Sequence, residues 1–423
     1  MKIGIISINI HTKVLNPASP LHSVCFQQFL KSHGIDSTII DYKPVYYGKA
    51  DPRHPLYYQQ KHPEPLKKVQ KYKLDKWERL FTEREKRYDR FEEFIDKYYK
   101  KTEKVYTAGK LDKEDPGFDL YICVTDVIWK YNFVKGFDRG FFLACKQMEG
   151  KKKIAYSASR GATKYSPEQR EQFFEYIRDM DYISVREESL YRYIKDNSNL
   201  EVSLVLDPVF LMEAPFYHEM AIRPKEEKYV LIYLAMEPAD SLVRMAIAYA
   251  KKHNLKVIEL SEFPEHEKLA RGVDYQLVYD IGVEEWIGYI QDSQMLFTNS
   301  FHACCLSVIM HKQFIAGDRQ GDKIDNILNT FDLSYRRVKN YNPNKCDQLK
   351  PIDYEVVEGI LEKKRKESQD FILHAIEDLQ TREHRPHELE FAASIHEDKL
   401  TWNEKLTAFK KNALKAFKKN RKK

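Results

Sequence analysis

The chain has 423 residues, a formal net charge of +6, and 43% hydrophobic and 32% charged residues. This length exceeds one ordinary core, so two domains are expected, with enough apolar material for buried sheets beneath a solvated surface. The small charge gathers toward the carboxyl terminus and does not argue for nucleic acid; no apolar run approaches the roughly 20 residues needed to cross a bilayer; and six cysteines without CxxC or Cys/His ligand spacing fit a reducing cytoplasm and predict no metal.

Met1 leads into Lys2-Ile-Gly-Ile-Ile-Ser7 with no cleavable signal, and Ile3 to Ile8 reads as a strand. Leu21 to His33 reads as a helix ending at Gly34, and Ser37 to Asp41 as a second strand, a βαβ opening that predicts a parallel sheet. Residues 44 to 65, rich in proline, tyrosine and histidine, read as an irregular excursion. From Leu66 to about Lys101 the apolar residues recur at helical spacing (Trp77, Leu80, Phe81, Tyr88, Phe91, Ile95, Tyr98), which predicts a long charged helix.

Strands follow at Leu120 to Val124, Lys153 to Ser157, Tyr182 to Val185 and Ser203 to Leu206. The scheme repeats with Tyr229 to Leu234, Lys256 to Leu260, Gln276 to Tyr279, Met295 to Thr298 and Gln313 to Ala316. Pro215, Pro224 and Lys225-Glu-Glu-Lys228 mark a boundary near 212 to 228. The expected fold is α/β: two Rossmann-like domains facing across a cleft, a glycosyltransferase-B-like arrangement. Residues 1–212 form the first, with a helical insertion at about 66–101; residues 225–345 form the second; and 350–423 supply carboxyl-terminal helices. In the tail, Trp402, Leu406, Phe409, Ala413, Ala416 and Phe417 fall on one helical face and Lys411, Lys415, Lys418, Lys419 and Lys422 on another. Such a helix can lie on an anionic membrane surface, or remain a solvated tail.

The run Thr298-Asn-Ser-Phe-His-Ala-Cys-Cys-Leu-Ser307 joins the Met295 strand to an apolar helical segment at Leu306 to Met310. Asn299, Ser300 and His302 are thereby placed at a strand-to-helix turn, where α/β sheets bind ligands and helix amino termini attract anions. This run resembles the "TxSFH" signature of the polysaccharide pyruvyl transferase family. Asp119 to Trp129 resembles the family's "D-hydrophobic-GSDQ-W" block and Ala155-Tyr-Ser-Ala-Ser-Arg-Gly161 its "YAASFG" block. Ile183 to Leu190 and Val205 to Leu211 complete the series in family order, over roughly residues 119 to 332. The glycine, serine and glutamine of "GSDQ" are Val124, Thr125 and Val127 here; an arginine that some members carry is Ser300, a downstream one is Lys323, and the "NYGAxLQ" turn is replaced by Leu15 to Gln28. The resemblance implies transfer of the pyruvyl unit of phosphoenolpyruvate to two hydroxyls of a sugar as a cyclic ketal. It also implies that the 66–101 insertion is a lid or a dock.

A phosphate-and-carboxylate donor needs several fixed cations, and arginine suits both groups through its planar fork of donors. Arg186, the first candidate, follows the Tyr182 strand at a carboxyl sheet edge; its bland alternative is a surface salt bridge to Glu187 or Glu188. Arg160 lies in the turn after Ser157, and Arg319 and Lys323 in the loop Gly317 to Lys323, which lacks Walker spacing. Asn299 and Ser300 could bind a carboxylate or orient the imidazole. His302 is the expected proton-transfer group: it would protonate the methylene carbon of the enol ether and collect protons from the attacking hydroxyls. Its bland alternative is a histidine packed under a helix.

Asp126, Thr125 and Trp129 are the candidate acceptor-binding group, a carboxylate beside an indole suiting a sugar's hydroxyls and apolar face; Asp126 could instead cap a helix. Asp207-Pro208 reads as architectural, and Cys304 and Cys305 as packing residues. No cofactor or metal is demanded by the route, the donor being a substrate. The expected partner is a saccharide acceptor, nucleotide-linked or lipid-linked, met in the cytoplasm or at the inner membrane face. Rival readings are a nucleotide-sugar glycosyltransferase on the same scaffold and a catalytically silent binding relative.

Overall fold

The structure is a computed structural model that describes residues 1–8, 11, 15–45, 53, 80–132, 135–235, 239–261, 266, 268–319, 321–340, 342 and 345–392. The expected tail helix at 402–422, most of the 44–65 excursion and the 66–79 start of the insertion lie outside the described residues.

The first sheet contains β1 (Ile3–Ser7), β2 (Ser37–Tyr42), β3 (Lys101–Tyr106), β4 (Leu120–Asp126), β5 (Lys152–Ala158), β6 (Tyr182–Val185) and β7 (Ser203–Leu204), in the order β3-β2-β1-β4-β5-β6-β7. The second contains β8 (Tyr229–Tyr233), β9 (Lys256–Glu259), β10 (Tyr275–Leu277), β11 (Met295–Thr298) and β12 (Phe314–Ala316), in the order β10-β9-β8-β11-β12. Every pairing is parallel, with β1 running from Ile3 opposite Leu120 to Ser7 opposite Val124. Strands covered on both faces are apolar throughout, which is why Ile-Gly-Ile-Ile-Ser and Tyr-Val-Leu-Ile-Tyr are buried at every position.

Alternation sends Ile3, Ile5, Leu120 and Ile122 to one face of the first sheet and Ile6, Tyr121 and Cys123 to the other. The first face packs on α1 (Ala18–Ser32) through Phe26, Phe29 and Leu30, and on Ile372, Ala375, Ile376 and Leu379. The second packs on an aromatic cluster with α3 (Pro167–Ile177), which begins at a Ser166 capping box.

The insertion yields α2 (Phe81–Tyr98), whose buried Arg84 and Arg87 reach the second lobe. Arg84 Nη1 donates to Tyr279 Oη at 2.6 Å, and Arg87 to the carbonyls of Leu15 and Tyr279. It is followed by β3, an edge strand absent from the sequence expectations because half of Lys-Thr-Glu-Lys-Val-Tyr is charged and only Tyr106 is buried. Beyond α4 (Glu188–Asn197) the crossover carries α5 (Ala214–Met220), packed beside α7 (Val283–Asp292); α6 (Asp240–His253) covers the second sheet. After β11 the helix begins at once as α8 (Phe301–Ile309), five residues earlier than the apolar run at Leu306 indicates, because Ser300 caps it. The chain continues through α9 (Lys323–Thr330) to α10 (Tyr354–Thr381). The α10 helix starts against the second lobe, where Tyr354 Oη donates to the Ser307 carbonyl at 3.1 Å. It ends on the first, where Asp378 accepts from Tyr182 Oη at 2.9 Å.

Candidate active site

In each sheet the strand order reverses beside one strand, between β1 and β4 in the first and between β8 and β11 in the second. Crevices open at the carboxyl ends of strands at such switch points. The carboxyl edges of the two sheets meet: Tyr233 Oη, ending β8, donates to Asn16 at 3.2 Å, and Asn326 of α9 bonds both Glu188 N and the Arg186 carbonyl at 3.1 Å. At Gly321 a φ of +85° favours glycine by its backbone, and a Cβ added there would stand 3.2 Å from Ala162 of the first lobe, a tight contact.

Arg186 leaves β6 with its side chain 1% exposed and is surrounded by acceptors. Nη2 donates to Asp126 Oδ1 at 2.6 Å, Nε to Glu187 Oε1 at 3.2 Å, and Nη1 to Asp207. Its guanidinium also lies 4.6 Å from the Phe301 ring centroid. From the other lobe Lys323, at the start of α9, donates to the same Oδ1 of Asp126 at 2.8 Å. Burial alone would raise the Asp126 carboxyl, but Lys323 and then Arg186 outweigh it and hold it well below the usual carboxylate range. Burial and then Arg186 push the Lys323 ammonium down. Backbone strain accompanies this arrangement: Thr125, Asp126 and Ser157 have φ of +44°, +58° and +55°, values unfavourable for any side chain and worst for a β-branched one.

His302 stands in the first turn of α8, 6% exposed, with Nε2 3.4 Å from Asp207 Oδ2. The gap permits charge attraction without an aligned hydrogen bond. Asp207 is held below the usual carboxylate range because His302 and Arg186 overcome the effect of burial. Behind His302 lies His22 of α1, the ring centroids 5.8 Å apart. Burial, only partly offset by Asp207, lowers the His22 imidazole to about 3, so this ring is neutral at physiological pH.

Asn299 and Ser300 frame the turn: Asn299 Oδ1 accepts from Ala235 N at 2.8 Å, and Ser300 Oγ caps Ala303 N. Arg319 lies alongside, its Nη1 3.5 Å from the Asn299 carbonyl. Arg160 stacks over Tyr193 at 4.2 Å and Tyr165 at 5.1 Å. Thr125 is fully buried, with Oγ1 near Ser157 and 3.2 Å from Asp207, so it braces the site from inside.

Trp129 departs from expectation. Its indole is 0% exposed and stacks on Phe142 at 5.6 Å with Phe173 at its edge, so it belongs to the aromatic core and cannot present a face to a sugar. The structure thus brings His302, Arg186, Lys323, Asp126 and Thr125 together, framed by Asn299 and Ser300. Sequence reasoning missed the closeness of Asp207 and His22 to His302. Asp207 had a signal in the Leu-Asp-Pro block, whereas His22 sits among helix-core positions of α1 and had none. Among the described residues no group of His, Cys, Asp and Glu is placed to hold a metal ion, and no helix is long and apolar enough to cross a membrane.

The sequence profile described as polysaccharide pyruvyl transferase matches residues 21–318. No curated protein matches the chain in sequence. Among solved structures, a Listeria monocytogenes protein assigned as a UDP-N-acetylglucosamine 2-epimerase superposes with a TM-score of 0.51 at 10% identity, covering 92% of this chain and 99% of that one. Its similarity supports a two-domain glycosyltransferase-B-like fold. The UDP-GlcNAc 2-epimerase of Methanocaldococcus jannaschii gives 0.46 at 13% identity over 89% of this chain and 100% of its own. The MurG of Acinetobacter baumannii gives 0.42 at 9% identity over 90% and 99%.

Proposed function

As the chain belongs to the polysaccharide pyruvyl transferase family, we propose that it moves the pyruvyl group of phosphoenolpyruvate onto a pair of saccharide hydroxyls, forming a cyclic ketal and releasing inorganic phosphate. The observation that carries this reading is the meeting of Arg186 and Lys323, one from each lobe, on the single oxygen Asp126 Oδ1 at 2.6 and 2.8 Å. Two cations aimed at one point form a seat for an anionic oxygen, and a donor with a phosphate and a carboxylate supplies such oxygens.

In this scheme His302 gives a proton to the methylene carbon, leaving a cationic carbon that the first sugar hydroxyl attacks as its proton returns to the imidazole. The second hydroxyl adds as the C–O bond to phosphate breaks, its proton leaving with the phosphate. A positioned imidazole contributes about 10²-fold to 10⁴-fold to such transfers. Arg186 and Lys323 neutralise the departing phosphate, an electrostatic contribution strengthened by the dry surroundings of Arg186. Asp126, open at 21% side-chain exposure, faces the acceptor side once the donor takes its cations. The acceptor is a saccharide carried as a nucleotide-linked or lipid-linked building block.

The test is incubation with phosphoenolpyruvate and saccharide acceptors, followed by mass measurement and phosphate assay. A product heavier by pyruvic acid less one water, with one phosphate released per product, is expected. Stabilisation by a nucleotide sugar but not by phosphoenolpyruvate, with no ketal formed, would overturn the proposal.

A further inference from the structure

The Asp207 carboxylate is fully buried beneath His302, with side-chain exposure of 0%. Its Oδ1 accepts from Val209 N at 3.2 Å, capping the turn Pro208–Leu211. Its Oδ2 receives the Arg186 guanidinium and lies 3.2 Å from Thr125 Oγ1 and 3.4 Å from His302 Nε2. His302 Nε2 is itself sealed from solvent and has no hydrogen-bond partner among the described residues. The 8% exposure left to the imidazole therefore belongs to its other atoms.

An imidazole with one nitrogen against a buried carboxylate has its tautomer chosen for it, since a carboxylate that stays ionised can only accept. We propose that Asp207 is a positioning residue for the reaction: it accepts the Nε2–H of His302, leaves the lone pair on Nδ1 as the site of proton exchange with substrate, and steadies the ring when it is positive. This rests on the reading of His302 as the proton-transfer group. At 3.4 Å the pair is longer than a formed hydrogen bond, and catalytic hydrogen bonds in unliganded sites often tighten only when substrate is bound. Neighbouring groups agree with this assignment. Arg186 and Thr125 both donate to Oδ2 and hold it in place, and the neutral ring of His22 adds no competing charge.

A purely architectural Asp207 would cap Val209 and pair with Arg186 without influencing the imidazole. Asp207→Asn separates the two, because the amide keeps the shape and one acceptor oxygen but loses the charge. Nitrogen-15 NMR of the histidines in the full chain, without substrate, is expected to find His302 in the Nε2–H form, and Asp207→Asn is expected to move it toward the Nδ1–H form. With substrates, kcat is expected to fall about 10²-fold or more while the KM for phosphoenolpyruvate changes little. In a His302→Gln background the same substitution is expected to cost nothing further in kcat. An Nδ1–H tautomer in the unsubstituted protein, or an undiminished loss in the His302→Gln background, would overturn the assignment. The tautomer of the unsubstituted protein decides even where Asp207→Asn does not fold. It is also independent of the donor: an Nε2–H ring in a protein that forms no ketal would refute the reaction and leave the positioning role standing.

Discussion

On the first-lobe side of the site, Arg186, Thr125 and Ser157, at the ends of β6, β4 and β5, are buried with Asp207 of the turn after β7, and the four hold one another. On the second-lobe side, His302 and Lys323 each extend from the first turn of a helix and each meets a first-lobe carboxylate, His302 also facing the His22 ring. The difference is one of dependence. Charges removed from water are tolerable only as a mutually satisfied set, so losing one member leaves the others stranded. Losing His302 or Lys323 leaves its carboxylate still paired with Arg186, so the loss is felt mainly in binding or chemistry.

The sharpest way to break this contrast is Arg186→Met, which would leave Asp207 buried without its cation. It is expected to cost about 3–5 kcal/mol of stability in denaturant titrations, together with all activity. A folded variant of near-normal stability would mean that the first-lobe side is not interdependent. His302→Ala on the opposite side is expected to lower turnover about 10²-fold to 10⁴-fold with an unchanged melting profile. Retained turnover would remove the proposed chemistry. Lys323→Met is milder, with an expected rise of about tenfold in the KM for phosphoenolpyruvate, equivalent to about 1.4 kcal/mol, that Lys323→Arg reverses. An unchanged KM would place the donor elsewhere.

The smallest expected effect lies far from the site and serves as a control. His384 is 3.2 Å from Asp179 and 2.9 Å from Asp181, and these two carboxylates raise its imidazole from 6.5 to about 9. A raised folded value contributes stability that is fully present below pH 6.5 and is lost as pH rises through about 9. Denaturant midpoints are therefore expected to fall modestly across that window, and His384→Gln is expected to flatten the slope. An unaltered slope in the variant would assign it to another group.

Much of the scaffold was legible because buried parallel strands are written as apolar runs. Tyr182–Val185 and Met295–Thr298 have the bounds their composition indicates. The β3 strand was not legible, since an exposed edge strand carries lysine and glutamate like any surface segment. Arg84 and Arg87 were hidden for a related reason: cations on a charged helix read as solvated until another lobe covers them. Around the candidate site, residues announced by a strand end, such as Arg186 and His302, lie close together on one buried carboxylate. Trp129 was misplaced because an aromatic residue after a strand fits a sugar platform and a core equally well, and packing against Phe142 decides. The part of Asp207 that faces His302 was invisible, because it arises from residues 95 positions apart that meet only when the lobes close.

The helix α10 has a mechanical consequence. At 28 residues it is about 42 Å long, and it is pinned to the second lobe near Tyr354 and to the first near Asp378. A rod fastened at both ends resists stretching far more than torsion. Gaping of the two halves would have to break those anchors, whereas a twist of one half against the other about the rod would preserve them.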